Sequence, residues 1–151
     1  MRQRVYADTS VFGGYFDENF QDGSIQLFEH FKRGNKILVL SDLILRELEL
    51  APSVVRNLIN DLPKDKIEFV TFNEESHMLA KRYIEEEVVT KKYILDAQHI
   101  AIATVYHVDV LVSWNFKHIV NLRRIQLYNS TNLKYGYPFI EIRSPKEILD
   151  E

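Results

Sequence analysis

Cysteine is absent from the 151 residues. That removes disulfides, thiolate zinc sites and cysteine nucleophiles together, and it fits a reducing compartment such as the cytosol. No apolar run approaches the roughly 20 residues needed to cross a bilayer. The opening Met1-Arg2-Gln3-Arg4 leads into only three uncharged residues, so no secretory leader is expected and the chain is read as soluble and cytoplasmic. Glycine (5) and proline (4) are too scarce to form a linker, and no repeat or low-complexity tract divides the sequence, so residues 1–151 are read as one domain. Excess positive charge is also lacking: the net charge is −3, which gives the whole molecule no bias toward nucleic acid.

The charge is unevenly spread, however. Residues 115–146 carry Lys117, Arg123, Arg124, Lys134, Arg143 and Lys146 against Glu141 alone, whereas acids dominate between Asp65 and Glu87. A polarised surface of this kind suits a polyanion on one side. Lys117, Arg123 and Arg124 are the candidate nucleic-acid contacts, with Tyr128, Tyr135, Tyr137 and Phe139 available for stacking. The alternative is an ordinary charged surface over core aromatics.

Short apolar runs alternate with helical stretches. Arg4–Ala7, Lys36–Leu40, Ile67–Phe72, Val108–Ser113 and Phe139–Ile142 read as strands. A loop is expected at Gly13-Gly14. Helices are expected over 24–33, stopped by Gly34, over 41–50 with Ser41 as cap, and over 53–62 with Ser53 as cap. Others are expected from Asn73 to about Val89, over 95–107, over 117–125 and as a turn at 129–135. Ser144-Pro145-Lys146-Glu147 has a capping-box spacing with proline at the first helical position. Strands separated by helices predict an α/β fold, a three-layer α/β/α sandwich with a mainly parallel central sheet. In such sheets ligands gather beyond the carboxyl ends of the strands.

Three acids stand out against that frame. Asp8 directly follows the first strand, where it either presents a carboxylate to the ligand edge or organises the turn with Thr9 and Ser10. Glu47 falls inside the apolar arc of its helix, formed by Leu43, Ile44, Leu45, Leu48 and Leu50, and a carboxylate so placed needs an arginine or a metal as partner. Asp96 opens a helix that is apolar nearly all round, where it serves the helix dipole, a cap or a ligand site. His99 and His107 lie near its face, and neutral hydrogen-bonded roles are expected of them. Val110-Leu111-Val112-Ser113-Trp114-Asn115 brings Ser113 and Asn115 to the same sheet edge as Asp8, while Asp109 falls at the opposite end. Carboxylates and an amide drawn together offer hard oxygen ligands, which suit Mg²⁺ or Mn²⁺ rather than zinc.

At these residues the sequence resembles the PIN-domain family, in particular the VapC-like toxin ribonucleases of bacteria and archaea. The resemblance runs through Tyr6-Ala7-Asp8-Thr9-Ser10-Val11, Ser41-Asp42-Leu43-Ile44-Leu45-Arg46-Glu47-Leu48, Leu95-Asp96-Ala97-Gln98-His99-Ile100-Ala101-Ile102-Ala103 and Leu111-Val112-Ser113-Trp114-Asn115, in that order over nearly the whole chain. It implies a flavodoxin-like sandwich, frequent dimerisation, and Asp8, Glu47 and Asp96 as the metal-site acids. Asn115 stands where the family usually has aspartate, a departure that removes one charge and weakens the case for a second metal. The implied activity is Mg²⁺- or Mn²⁺-dependent cleavage of RNA, with Asp8, Glu47, Asp96 and Asn115 catalytic, Thr9 and Ser113 supporting them by hydrogen bonds, and an antitoxin protein as partner. Two other readings stay open: a catalytically weak PIN domain acting as an RNA-binding module, and a small-molecule or receiver-like enzyme using Asp8. The latter wants a lysine near the end of a late strand, and none occurs there before Lys117.

Overall fold

The computed structural model describes residues 2–149. Five strands form one sheet: β1 (Gln3–Ala7), β2 (Lys36–Ser41), β3 (Ile67–Val70), β4 (Val110–Val112) and β5 (Ile142–Arg143). Their order is β3-β2-β1-β4-β5 and every pairing is parallel. The sheet is therefore wholly parallel, and helices flank it. Parallel strands covered on both faces read as continuous apolar runs. Val5, Tyr6 and Ala7, Leu38, Val39 and Leu40, and Val110, Leu111 and Val112 are accordingly buried without alternation.

The helices are α1 (Thr9–Gly14), α2 (Gln21–Arg33), α3 (Asp42–Glu49), α4 (Ser53–Arg56), α5 (Glu74–Glu85), α6 (Ile94–Val105), α7 (Leu122–Lys134) and α8 (Pro145–Leu149). Several boundaries follow directly from capping chemistry. Ser41 accepts a hydrogen bond from the Ile44 amide at the start of α3. Asn73 and Ser76 form a reciprocal capping box on α5. Gly34 ends α2 at φ 74°, in the left-handed region that glycine enters without steric cost. The Ser144 amide donates to Glu147 Oε1 at 2.9 Å, as the spacing before α8 implies.

Four local expectations need correction. The segment Thr9–Gly14, expected to end in a loop at Gly13-Gly14, is helical, because Asp8 is extended and accepts from the Ser10 amide. The 53–62 stretch splits into α4 and a 3₁₀ turn over Asn57–Asp61, and Ser53 makes no capping bond. The two short helices expected around 117–125 and 129–135 are one helix, α7, which starts only at Leu122 because Asn121 caps the Arg124 amide. The last strand starts at Ile142, not Phe139, whose side chain is exposed.

Because β2 and β3 lie on one side of β1 while β4 and β5 lie on the other, chain direction across the sheet reverses between β1 and β4. The carboxyl ends of those neighbouring strands flank the crevice that such a reversal opens. Asp8 and Ser113 are the residues immediately beyond them. Asp109 sits at the opposite end, where its Oδ2 accepts from the Arg4 amide at 2.7 Å. No helix among the described residues is long and apolar enough to cross a membrane.

Candidate active site

Asp8 leaves β1 with its backbone still paired to β4, the amide donating to Val112 O at 3.2 Å. Its side chain is nearly sealed, at 5 % exposure. Ser113 Oγ donates to Oδ2 at 2.6 Å, and the Ser10 hydroxyl and amide donate to Oδ1. The two serines are fixed in turn: Ser10 Oγ accepts from the Trp114 amide and Ser113 Oγ from the Asn115 amide, each at 2.9 Å. Burial pushes the Asp8 carboxyl above its ordinary value, the Ser10 and Ser113 hydroxyls oppose that rise, and the charge of Glu47 adds to it.

Glu47 is half-buried, and no arginine pairs with it among the described residues. Its compensation is a histidine. His99, only 3 % exposed, places Nε2 2.8 Å from Glu47 Oε1, and Thr9 Oγ1 donates to the same oxygen at 3.1 Å. His99 Nδ1 lies 2.7 Å from the Tyr6 hydroxyl, which is 2.8 Å from Ser41 Oγ. The chain is satisfied when Ser41 donates to Tyr6, Tyr6 to Nδ1, and Nε2–H to Glu47. Burial raises the Glu47 carboxyl, but the His99 bond and charge and the Thr9 hydroxyl outweigh it, leaving Glu47 below its ordinary value. The expected arc needs one amendment: Leu45 and Leu50 are exposed, so the buried stripe of α3 narrows to Leu43, Ile44 and Leu48.

Asp96 lies in the first turn of α6, yet no side chain caps that helix, so the capping alternative is not realised. Burial and the charges of Asp8 and Glu47 push its carboxyl up to about 6, partly opposed by His99 and by a hydrogen bond from Asn115. Asp8, just beyond β1, and Glu47 of α3 thus both act electrostatically on Asp96 of α6. Asn115 Nδ2 donates to Asp96 Oδ2 at 3.3 Å. Its Oδ1 accepts from the Lys117 and His118 amides at 3.2 and 3.0 Å, which fixes the amide orientation. The oxygen expected to face the site is therefore turned into the following loop, because two backbone donors claim it.

An all-oxygen donor set of this kind matches Mg²⁺ or Mn²⁺ in chemistry. Among the described residues, however, no three of the His, Asp and Glu side chains stand close enough to hold a metal ion in common. Glu47 Oε1 is itself committed to His99 and Thr9. Mg²⁺ usually takes one or two protein carboxylates and keeps several waters. Asp8 and Asp96 fit that smaller requirement, since a cation would favour the ionised form of two carboxyls that burial, first of all, raises.

Of the expected nucleic-acid contacts, Lys117 and Arg123 are exposed. Arg124 is not free, because its Nη1 donates to Val88 O. Tyr128 is core, donating to His118 O; Tyr137 donates to Glu75; and Tyr135 packs under Arg82 and Lys134. Phe139 alone of those four aromatics is an open face. Tyr6 and Ser10 are site residues that the sequence reading did not single out. The hints were a hydroxyl inside an apolar strand and a serine two residues after Asp8. His99 was visible at i+3 from Asp96, and His107 is exposed at the end of α6.

Neither a protein-family model nor a curated protein matches the sequence. In three dimensions the chain resembles a chain in the crystal structure of VapBC2 from Rickettsia felis, solved bound to a DNA fragment from their promoter. The match covers 94% of this chain and 98% of that one at a TM-score of 0.60, with 12% sequence identity. At that identity the likeness is one of fold, the parallel α/β sandwich described above.

Proposed function

We propose that this protein is a metal-dependent endoribonuclease that hydrolyses RNA phosphodiester bonds, acting as the toxin of a toxin–antitoxin pair. The observation that carries the reading is Asp8, just beyond the end of β1, acting with Glu47 on Asp96 of α6, whose carboxyl is pushed up to about 6 by burial first and then by those two charges. Carboxylates gathered without a lysine or arginine partner serve poorly as structure and well as a cation site. The fold likeness to a VapBC2 chain supports the same reading, and so an antitoxin is the expected partner and a homodimer the expected assembly.

A bound Mg²⁺ or Mn²⁺ would supply Lewis acidity, lowering the pKa of a water and neutralising charge on the phosphate. Asp8 and Asp96 would hold it. The residues of the chain do the rest. Ser10 and Ser113 hold the Asp8 carboxylate in one orientation, and Asn115 holds Asp96. Glu47 is ionised at neutral pH, and His99 and Thr9 occupy Oε1, leaving Oε2 with no partner among the described residues. That oxygen would orient the attacking water and accept its proton. Lys117 and Arg123 supply positive charge for the strand.

The test is cleavage of a defined panel of single-stranded RNAs with Mg²⁺ or Mn²⁺, wild type beside Asp8→Asn and Asp96→Asn. Cleavage by wild type that both substitutions and chelation abolish supports the proposal. A second reading, an RNA-binding module of weak activity, is favoured by one observation: the Asn115 oxygen is spent on two backbone amides. RNA binding without cleavage, unchanged in both variants, would decide for it.

A further inference from the structure

Beyond the acids, the chain carries an aromatic platform that no part of the proposed chemistry uses. Phe20 stacks on the Trp114 indole, with centroids 4.7 Å apart and planes 22° apart, and Trp114 Nε1 donates to Ser24 Oγ at 2.9 Å. Phe116 leans on both rings, at 6.5 Å from Phe20 and 6.2 Å from Trp114. It is nevertheless 49 % exposed. A ring anchored at its back and open in front is pre-ordered, so a second ring can stack on it with little loss of side-chain freedom.

The ring also borders a hollow of about 330 Å³ at the carboxyl end of β5. Val120 and Ile125 contribute apolar surface, and Leu122, 74 % exposed, stands at its margin. Arg143 and Glu147 supply polar groups, but the Arg143 guanidinium is already neutralised by Glu141 and, at 3.9 Å, by Glu147. A hollow with apolar walls and a compensated arginine is ill-suited to a phosphate. It suits a flat, uncharged heterocycle with donors and acceptors at its edge. The unpaired charge lies beside it instead: Lys117 is exposed, and its ammonium forms no ion pair among the described residues.

Position completes the argument. Phe116 follows Asn115, whose side chain touches Asp96, so the platform adjoins the acidic crevice. We propose that Phe116 and this hollow form a nucleobase subsite, taking one unstacked base of a single strand while Lys117 meets its backbone and the neighbouring phosphodiester lies over the acids. The proposal rests on the nuclease reading and adds to it the recognition of a single-stranded, splayed base.

The experiment compares Phe116→Ala, Phe116→Leu and Phe116→Tyr with the parent. Binding is read in the Asp96→Asn background from quenching of 2-aminopurine in a single-stranded RNA, and KM and kcat are read in the active background. Loss of one base–aromatic stack is expected to weaken binding roughly 5- to 100-fold in Phe116→Ala and Phe116→Leu. Quenching should disappear and KM rise by a similar factor while kcat holds, and Phe116→Tyr should restore all three. Equal binding by all four proteins overturns the subsite, and so does equal loss in Phe116→Ala and Phe116→Tyr, which marks a packing defect. A change of oligomeric state with binding untouched overturns it in favour of a protein interface. If wild type cleaves RNA and the Phe116 variants match it, only the subsite falls; if wild type neither binds nor cleaves RNA, the nuclease reading falls with it.

Discussion

Asp96→Asn is expected to make the metal-free protein more stable at neutral pH, although it removes a residue of the proposed active site. Raising a carboxyl from 3.8 to about 6 corresponds to about 3 kcal/mol of disfavour for its ionised form, at about 1.4 kcal/mol for each tenfold. Asp96 is only partly buried, so solvent screening reduces this to about 1–2 kcal/mol. The sign follows from proton binding. Between pH 4 and 6 the folded state holds a proton on Asp96 that the unfolded chain has released, so stability falls as pH rises through that window and the full penalty is present above it. Asparagine carries no such proton and can still accept from Asn115 Nδ2. With chelator present, the variant should melt roughly 2–8 °C above wild type at pH 7.5, at about 2–4 °C per kcal/mol for a chain of this size. The gap should close toward pH 4. Mn²⁺ should raise the melting temperature of wild type and leave the variant almost unmoved. Circular dichroism melts from pH 4 to 8 supply the test. A variant less stable than wild type at pH 7.5, or a gap that does not depend on pH, would refute the claim that burial and the neighbouring acids disfavour the ionised form of Asp96.

Three further outcomes follow from single contacts. Asn115→Asp puts a second carboxylate against Asp96 and removes the donated hydrogen bond, so chelated protein should lose about 1–3 kcal/mol, and Mn²⁺ titration should restore more melting temperature than it gives wild type. His99→Gln breaks the bridge between Tyr6 and Glu47; a drop of about 2–3 kcal/mol in urea unfolding is expected from the unsatisfied buried groups, with kcat falling more than KM because Glu47 loses its orientation. Gly14→Ala would set a Cβ 2.6 Å from Trp114 Nε1 and 2.8 Å from Ser24 Oγ. A shifted indole, read as a change in tryptophan emission, and a loss of about 1–3 kcal/mol are expected.

Where structure depends on near neighbours, the sequence was informative. The apolar runs located four of the five strands and met the last only at Ile142, and Gly34, Ser41 and Asn73 marked helix ends, because a cap acts over three or four residues. Where expectation failed, a distant contact intervened. Gly13 and Gly14 suggest a loop by composition, yet Gly14 is held against Trp114 and Ser24, which lie 90 residues apart in the chain, and the segment stays helical. The continuity of α7 was missed because its 122–134 stretch mixes polar and apolar residues around a buried Asn132, whose Nδ2 donates to Thr104 and whose Oδ1 accepts from Tyr83.

The candidate site divides in the same way. Asp8, Glu47 and Asp96 are legible one at a time, because a carboxylate at a strand end or on an apolar helix face is anomalous within its own segment. Their partners are not. That Glu47 answers to His99 and not to an arginine, and that Asn115 turns its oxygen to the Lys117 and His118 amides and its nitrogen to Asp96, are decided by which side chains the folded sheet edge brings within 3.3 Å. Sequence determined which groups could ionise, cap or enter the core, since those are properties of a residue and its near neighbours. Tertiary structure alone decided which charges share a crevice, because burial and Coulomb energy depend on distances that only the parallel pairing of β1 with β4, and the packing of α3 and α6 above it, sets.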